Sequence, residues 1–143
     1  MNPDVNAAQN SRILDGIEKC LYCCIECGRA FQARTRPQGA ELPEALQLSL
    51  VECAEICRTT ASFLRWDSAY WEAACALCAD ICMKCAWECA RVSEDEQIRI
   101  ARDACEQCAV LCRELAGRRE PFSRVRMATD VARRSERAML AAL

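Results

Sequence analysis

Fourteen of the 143 residues are cysteine, and their spacing points to soft-metal chemistry. Cys75, Cys78, Cys82, Cys85 and Cys89 recur in steps of three and four. That is the seam by which one helix packs into a bundle. Such a seam ordinarily holds Leu, Ile or Val; thiols in the same places offer thiolates, which are ligands for soft metal ions. Related sets lie elsewhere in the chain: Cys20, Cys23, Cys24 and Cys27; Cys53 and Cys57; Cys105, Cys108 and Cys112. At about 100° per residue, the set from Cys20 to Cys27 spans an arc of about 100°, and the five from Cys75 to Cys89 fit in about 80°. All fourteen are candidate metal ligands.

Six Cys-x-x-x-Cys pairs occur, 20/24, 23/27, 53/57, 78/82, 85/89 and 108/112. Helical neighbours one turn apart have Cβ atoms about 5–6 Å apart, so two sulfurs turned toward each other can grip one ion. Zinc takes four ligands in a tetrahedron, whereas Cu(I) accepts two or three thiolates. Pairs on single helices therefore suit Cu(I). Thiolates shared between ions would let the chain hold about 7 to 14 of them, between one ion per pair and one per sulfur. One cysteine of this kind would be read as a small buried hydrophobe. Fourteen on inward faces are not, because thiols fill a bundle core poorly and nothing in packing prefers them to Leu.

The chain has no His, which excludes His-based catalysis, Cys/His nucleophile pairs, His-ligated haem and His-containing zinc fingers. Cys82-x-x-Cys85-x-x-x-Cys89 partly matches an iron–sulfur run, but Ala90 follows where Pro is typical. Cys20-x-x-Cys23 lacks the strand-to-helix setting of a thioredoxin-type site. No Gly-rich phosphate loop is present. No catalytic residue emerges, so the expectation is not an enzyme. An iron–sulfur or zinc thiolate protein is the alternative. Met83 lies about 120° from the centre of the cysteine stripe and is expected to pack on its flank.

These thiols need four helices to position them. The sequence predicts a first helix from an Asn10-Ser11 cap to about Arg34, ended by Pro37-Gln38-Gly39. A second starts near Glu41-Leu42-Pro43 and runs to about Leu64. A third is capped by Asp67-Ser68 and runs to about Val92. A fourth follows a capping box at Ser93 and Glu96 and ends at Ala116-Gly117. Strand-like alternation is absent. The expected fold is all-α, an antiparallel up-down four-helix bundle, with a basic C-terminal tail or short extra helix. Residues 1–10 are expected to be a mobile N-terminus, 11–117 the Cys-lined bundle and 118–143 the Arg-rich tail. Counting from the turns puts Cys27, Cys53, Cys82 and Cys105 at one level, and Cys23, Cys24, Cys57, Cys78 and Cys108 at the next. Cys20, Cys75 and Cys112 come below, while Cys85 and Cys89 reach toward the opposite end. Ile13, Ile17, Leu64, Trp71 and Leu115 should plug the lower end, leaving metal to enter near Cys89. Trp66, Trp71 and Trp87 should pack the bundle or a subunit interface.

Helical spacing also argues against a disulfide framework, since cysteines at i and i+4 have nearly parallel Cβ vectors. With only four Gly and four Pro, and no signal-like N-terminus, the chain is expected to be cytosolic with reduced thiols. No apolar run approaches the about 18 residues of a membrane span, so no membrane partner is expected. The tail from Arg118 to Leu143 carries +4 and the remainder −6, which together give the net −2. Apart from Phe122 the tail lacks interleaved aromatics, so it reads as solvated, or docked on the acidic bundle or a neighbouring subunit, rather than as a nucleic-acid site.

The inward Cys-x-x-x-Cys pairs resemble the bacterial copper storage proteins, specifically the cytosolic members. The resemblance covers about Ser11 to Gly117. It is carried by Cys20-Leu-Tyr-Cys-Cys-Ile-Glu-Cys27, Cys53-Ala-Glu-Ile-Cys57, the run Cys75 to Cys89, and Cys105-Glu-Gln-Cys-Ala-Val-Leu-Cys112. It implies storage of many Cu(I) ions in the bundle core, a homotetramer and no catalysis. The absence of His departs from the family, whose members often carry His or Met near the mouth of the bundle. The basic tail lies outside the family pattern.

Overall fold

The computed structural model describes residues 3–92, 95–117 and 141. Four helices follow one another: α1 Pro3–Gln32, α2 Glu44–Arg65, α3 Trp71–Ala90 and α4 Glu96–Ala116. Each packs on two neighbours in a ring, α1 on α2, α2 on α3, α3 on α4 and α4 on α1. Short connections between long helices produce this antiparallel up-down arrangement. The expected tail and its possible extra helix fall outside the described residues, Ala141 excepted.

Three helix boundaries differ from the sequence reading. α1 begins at Pro3, not at an Asn10-Ser11 cap. Pro is compatible with the first turn, where its missing N–H would have no intrahelical partner, and no Gly or later Pro interrupts the stretch before Ser11. Asn10 and Ser11 are simply exposed positions within the helix. Asp67 and Ser68 do not cap α3; they form the turn before it. Asp67 takes φ +51, and Ser68 Oγ accepts from the Tyr70 amide at 3.1 Å. The α4 cap is Asp95, not Ser93. Its Oδ1 accepts from the Gln97 amide at 2.8 Å and the Ile98 amide at 3.4 Å. Asp is as good a cap as Ser, and here its carboxylate also meets Arg36 of the α1–α2 connection at 2.5 Å. Ser93 lies outside the described residues.

The α1–α2 connection is a tight reversal. Arg36 N donates to Ala40 O at 2.7 Å and Gly39 N to Arg36 O at 2.8 Å, with Gly39 at φ +87. That left-handed conformation is easiest for Gly. The reversal leads Leu42 and Leu46 into the core.

Thirteen cysteines are buried, flanked by alanines such as Ala79, Ala101, Ala104 and Ala109. Small flanking side chains let the helices approach closely enough for sulfurs of different helices to touch. Apolar side chains close both ends of this core. At one end Leu64 is buried and Ile13, Ile17, Trp71 and Leu115 pack against the cluster. Gly16 serves this plug: a Cβ there would lie 2.6 Å from Leu115 Cδ1 and 3.3 Å from Leu64 Cδ1. At the other end, Leu42, Leu46 and Ile98 are buried beside the connections and Cys89 is only 2% exposed. Cys89, the thiol nearest that end, is itself buried.

Asp95 both caps α4 and pairs with Arg36. Asp95→Ala should lower the unfolding free energy of the metal-free protein by about 1–2 kcal/mol, read by denaturant melts. Asp95→Asn keeps an accepting oxygen and should lose less than Asp95→Ala. Equal losses would assign the effect to the ion pair alone.

A buried thiol column as candidate metal centre

Ten of the cysteine sulfurs form one continuous hydrogen-bonded array along the bundle axis. Within single helices, Cys23 and Cys27 are 3.9 Å apart, Cys53 and Cys57 4.0 Å, Cys78 and Cys82 3.8 Å, and Cys108 and Cys112 3.9 Å. Contacts between helices are mostly shorter. Cys27 and Cys105 lie 3.5 Å apart, Cys53 and Cys82 3.6 Å, Cys57 and Cys82 3.6 Å, and Cys20 and Cys112 3.6 Å. The sequence pattern showed the intrahelical pairs, but the tighter units run across the bundle.

The levels can be compared one by one. Cys27, Cys53, Cys82 and Cys105 are joined by the 27–105 and 53–82 contacts and by a 53–105 contact of 3.7 Å. Cys57, Cys78 and Cys108 form the next level, at 3.7 to 3.9 Å. Cys23 bridges upward instead, touching Cys53 and Cys105 at 3.7 Å each. Cys20 and Cys112 end the array on the plug side, where Cys75 is also fully buried. Cys85 and Cys89 are buried toward the far end, and hydrogen bonding to Cys85 raises the Cys89 thiol.

Cys24 stands apart. It is only partly buried, and its thiol is pushed up by burial while the nearby Arg58 opposes the shift. The 20/24 pair therefore does not act as a unit pointing inward. On a helical wheel Cys24 sits at the edge of the α1 stripe, and the position of α2 decides which side of that edge is inside.

Four groups of four sulfurs lie close enough to share an ion: Cys20/Cys78/Cys108/Cys112, Cys23/Cys53/Cys57/Cys82, Cys23/Cys27/Cys53/Cys105 and Cys57/Cys78/Cys82/Cys108. Among the described residues, the buried polar or charged side chains are Glu26, Ser49 and Thr60, so the core holds no Lys or Arg. A thiolate formed there has only other sulfurs to stabilise it. The Cys53 thiol is held well below its ordinary value by hydrogen bonds from Cys105, then Cys23 and Cys27. Cys108 is likewise held down by Cys112 and Cys20. Their partners move the other way: Cys105 is raised by Cys23 and Cys27, and Cys112 by Cys108 and Cys20, with burial adding to both. Hydrogen bonding thus divides the column into sulfurs that accept and sulfurs that donate and keep their protons.

Sequence reasoning missed two polar groups on the α2 seam. Ser49, one turn before Cys53, is buried and its hydroxyl has no partner; Thr60 donates to Ala74 O at 3.4 Å. Their seam positions three or four residues from Cys53 and Cys57 were the available signal. Glu26, one residue before Cys27, is also buried, held by Arg29 at 3.1 Å and Gln97 at 3.2 Å. Of the other residues singled out, Met83 lies exposed on the flank, Trp71 packs on the core, and Trp66 and Trp87 face outward at 70% and 59% exposure.

A four-helix bundle whose interior is a column of contacting thiols defines a thiolate metal-binding protein. The chain belongs to the copper storage protein family, which matches residues 9–117. It is 35% identical over 101 residues to an uncharacterized cysteine-rich protein of Bacillus subtilis, covering 70% of this chain and 92% of that one. It is similar to the Cu(I)-bound copper storage protein BsCsp3, with 30% identity and a TM-score of 0.68 over 74% of this chain and 99% of that chain. It is also similar to a cytosolic copper storage protein from Streptomyces lividans solved with five coppers. There the identity is 28% and the TM-score 0.71, over 80% of this chain and 99% of the other.

The burial pattern predicts thiol reactivity. In the metal-free protein, a small alkylating reagent should label one thiol per chain rapidly, Cys24, and the thirteen others only as the bundle opens. Cys24→Ser should abolish the rapid phase. Several rapid thiols in the wild type would contradict a closed column.

Proposed function

We propose that this chain stores Cu(I) in the cytosol, held by the thiolates of its bundle core. The observation that carries this reading is the unbroken sulfur array, with contacts of 3.5 to 4.0 Å between Cys20 and Cys112 at one end and Cys27 and Cys105 toward the other. Thirteen buried ligands are Cys20, Cys23, Cys27, Cys53, Cys57, Cys75, Cys78, Cys82, Cys85, Cys89, Cys105, Cys108 and Cys112; Cys24 is a peripheral fourteenth.

Charge favours Cu(I). An uncompensated ion in a low-dielectric interior is expensive. A monovalent ion that displaces one thiol proton leaves the column neutral, so the core can fill at up to one Cu(I) per thiolate. Soft thiolates suit the ion, and two- or three-fold sharing needs no other ligand type. An iron–sulfur cluster would have to place iron and inorganic sulfide among its cysteines. Here the sulfurs already touch one another, which disfavours that alternative. Membership of a storage family and a core without His support a role in holding metal rather than catalysing a reaction.

Assembly into a homotetramer is part of the same proposal. Leu14, Ile25, Leu48, Trp66, Trp87 and Val110 are large apolar side chains left at the surface of one chain, more than a lone bundle needs. Light scattering should give four times the 16.0 kDa chain mass; a monomer at micromolar concentration would overturn this part.

Anaerobic titration of the reduced protein with Cu(I) tests the storage reading. Saturation is expected at about one ion per buried thiol; saturation at one or two ions per chain would contradict it. Affinity should rise with pH. Hydrogen bonding to neighbouring sulfurs, then burial, keeps Cys57, Cys82 and Cys105 protonated well above the ordinary thiol range. Each ion bound there expels protons, so competition with a pH-independent chelator should show weaker binding at pH 6 than at pH 8. No pH dependence would mean the thiols are already ionised.

A further inference from the structure

Two of the four-sulfur groups share no residue and are close to regular tetrahedra. In Cys23/Cys27/Cys53/Cys105, five of the six edges are 3.9, 3.7, 3.7, 3.5 and 3.7 Å, and the sixth is within 4.8 Å. In Cys57/Cys78/Cys82/Cys108, five edges are 3.7, 3.6, 3.9, 3.8 and 3.9 Å, and again the sixth is within 4.8 Å. A regular tetrahedron has its centre at about 0.61 of its edge from each corner, so a zinc–sulfur bond of about 2.3 Å requires an edge of about 3.8 Å. The metal-free sulfurs already stand at that spacing. The first group draws ligands from α1, α2 and α4, and the second from α2, α3 and α4.

We propose that the metal-free column is also a preformed receptor for a tetrahedral divalent d¹⁰ ion, binding two Zn(II) per chain at these two tetrathiolate sites. Cu(I) then displaces both. The proposal rests on the column being a metal site, but not on copper being its cargo. Each binding step breaks up to four S–H bonds, forms four Zn–S bonds and sends the protons to solvent; nothing is oxidised or reduced. The product is a tetrathiolate with a 2− charge in a core that has no Lys or Arg among its buried described residues. That buried charge is costly. A set of Cu(I) ions equal in number to the thiolates removes it, which gives the exchange its direction. Zinc therefore fits the geometry of the column, while copper fits its charge.

The two sites share no residue, so each has its own four ligands, but Cys53 of the first lies 3.6 Å from Cys82 of the second, so the second zinc binds more weakly than the first. Cys24, Cys85 and Cys89 belong to neither. Cys20, Cys75 and Cys112 also lie outside this pair of sites.

The test uses the full reduced chain under anaerobic conditions, with Zn(II) as the only metal and native mass spectrometry as the count. Two Zn(II) per chain are expected, and Co(II) in its place should give the intense visible bands of a tetrahedral thiolate site. Cys105→Ser should hold one zinc, and the paired Cys85→Ser and Cys89→Ser variant should still hold two. Circular dichroism checks that each variant is helical; if Cys105→Ser does not fold, Cys27→Ser tests the same site. Adding Cu(I) to the zinc form should release two Zn(II), read with a zinc-responsive dye. No zinc retained by the wild type, the weak spectrum of six-coordinate Co(II), or loss of zinc in the Cys85/Cys89 variant would overturn the proposal. The copper titration is independent: zinc binding could fail while copper saturates the column, or hold while copper storage fails.

Discussion

Electroneutrality of a closed, cation-free core is the constraint on which the rest of this structure depends. Ten thiols touch one another, with Cys75, Cys85 and Cys89 buried alongside, inside a sleeve of Ala, Leu and Ile side chains. As thiols they are small apolar groups and the bundle tolerates them. As thiolates without a counter-ion they would carry a desolvation cost that no neighbouring Lys or Arg offsets. In the metal-free state hydrogen bonding to neighbouring sulfurs, then burial, holds Cys57, Cys82 and Cys105 protonated well above the ordinary thiol range, so the core is packed as thiols. Metal ions offset the thiolate charge in the loaded state. One core therefore serves as the packed interior of the bundle and as its metal site.

The helices and their ends follow from that demand. Sulfurs of different helices approach within 3.5 to 3.7 Å because alanine, not leucine, occupies the flanking positions. The larger apolar residues are sent to the two ends, where Leu64 and Leu115 meet Gly16 on one side and Leu42, Leu46 and Ile98 close the other. The end near Cys89 is spanned by the Arg36–Asp95 pair and two connections.

Much of this was legible in the sequence, for physical reasons that can be named. Helix α3 announced itself because five cysteines at steps of three and four can share a face only on a helix. The apolar plug was legible because its residues fall at matching heights in an up-down bundle. The cap of α4 was misread because Ser93 and Asp95 offer the same local chemistry, and tertiary contact with Arg36 selects between them. The start of α1 was misread because Asn10-Ser11 looks like a cap only if the residues before it are assumed not to be helical. The sulfur tetrahedra and the outward turn of Cys24 were not legible: both depend on how closely and at what rotation two helices meet, which no single-helix pattern contains.

Storage in this core requires copper on the axis of the bundle, as a chain of thiolate-bridged ions. X-ray absorption at the copper edge of the fully loaded protein tests this most directly. Sulfur should be the only atom bonded to copper, two to three per ion, with short copper–copper vectors from ions that share thiolates. Nitrogen or oxygen in the first shell, with no copper–copper vector, would place the metal on the outside of the bundle and contradict it.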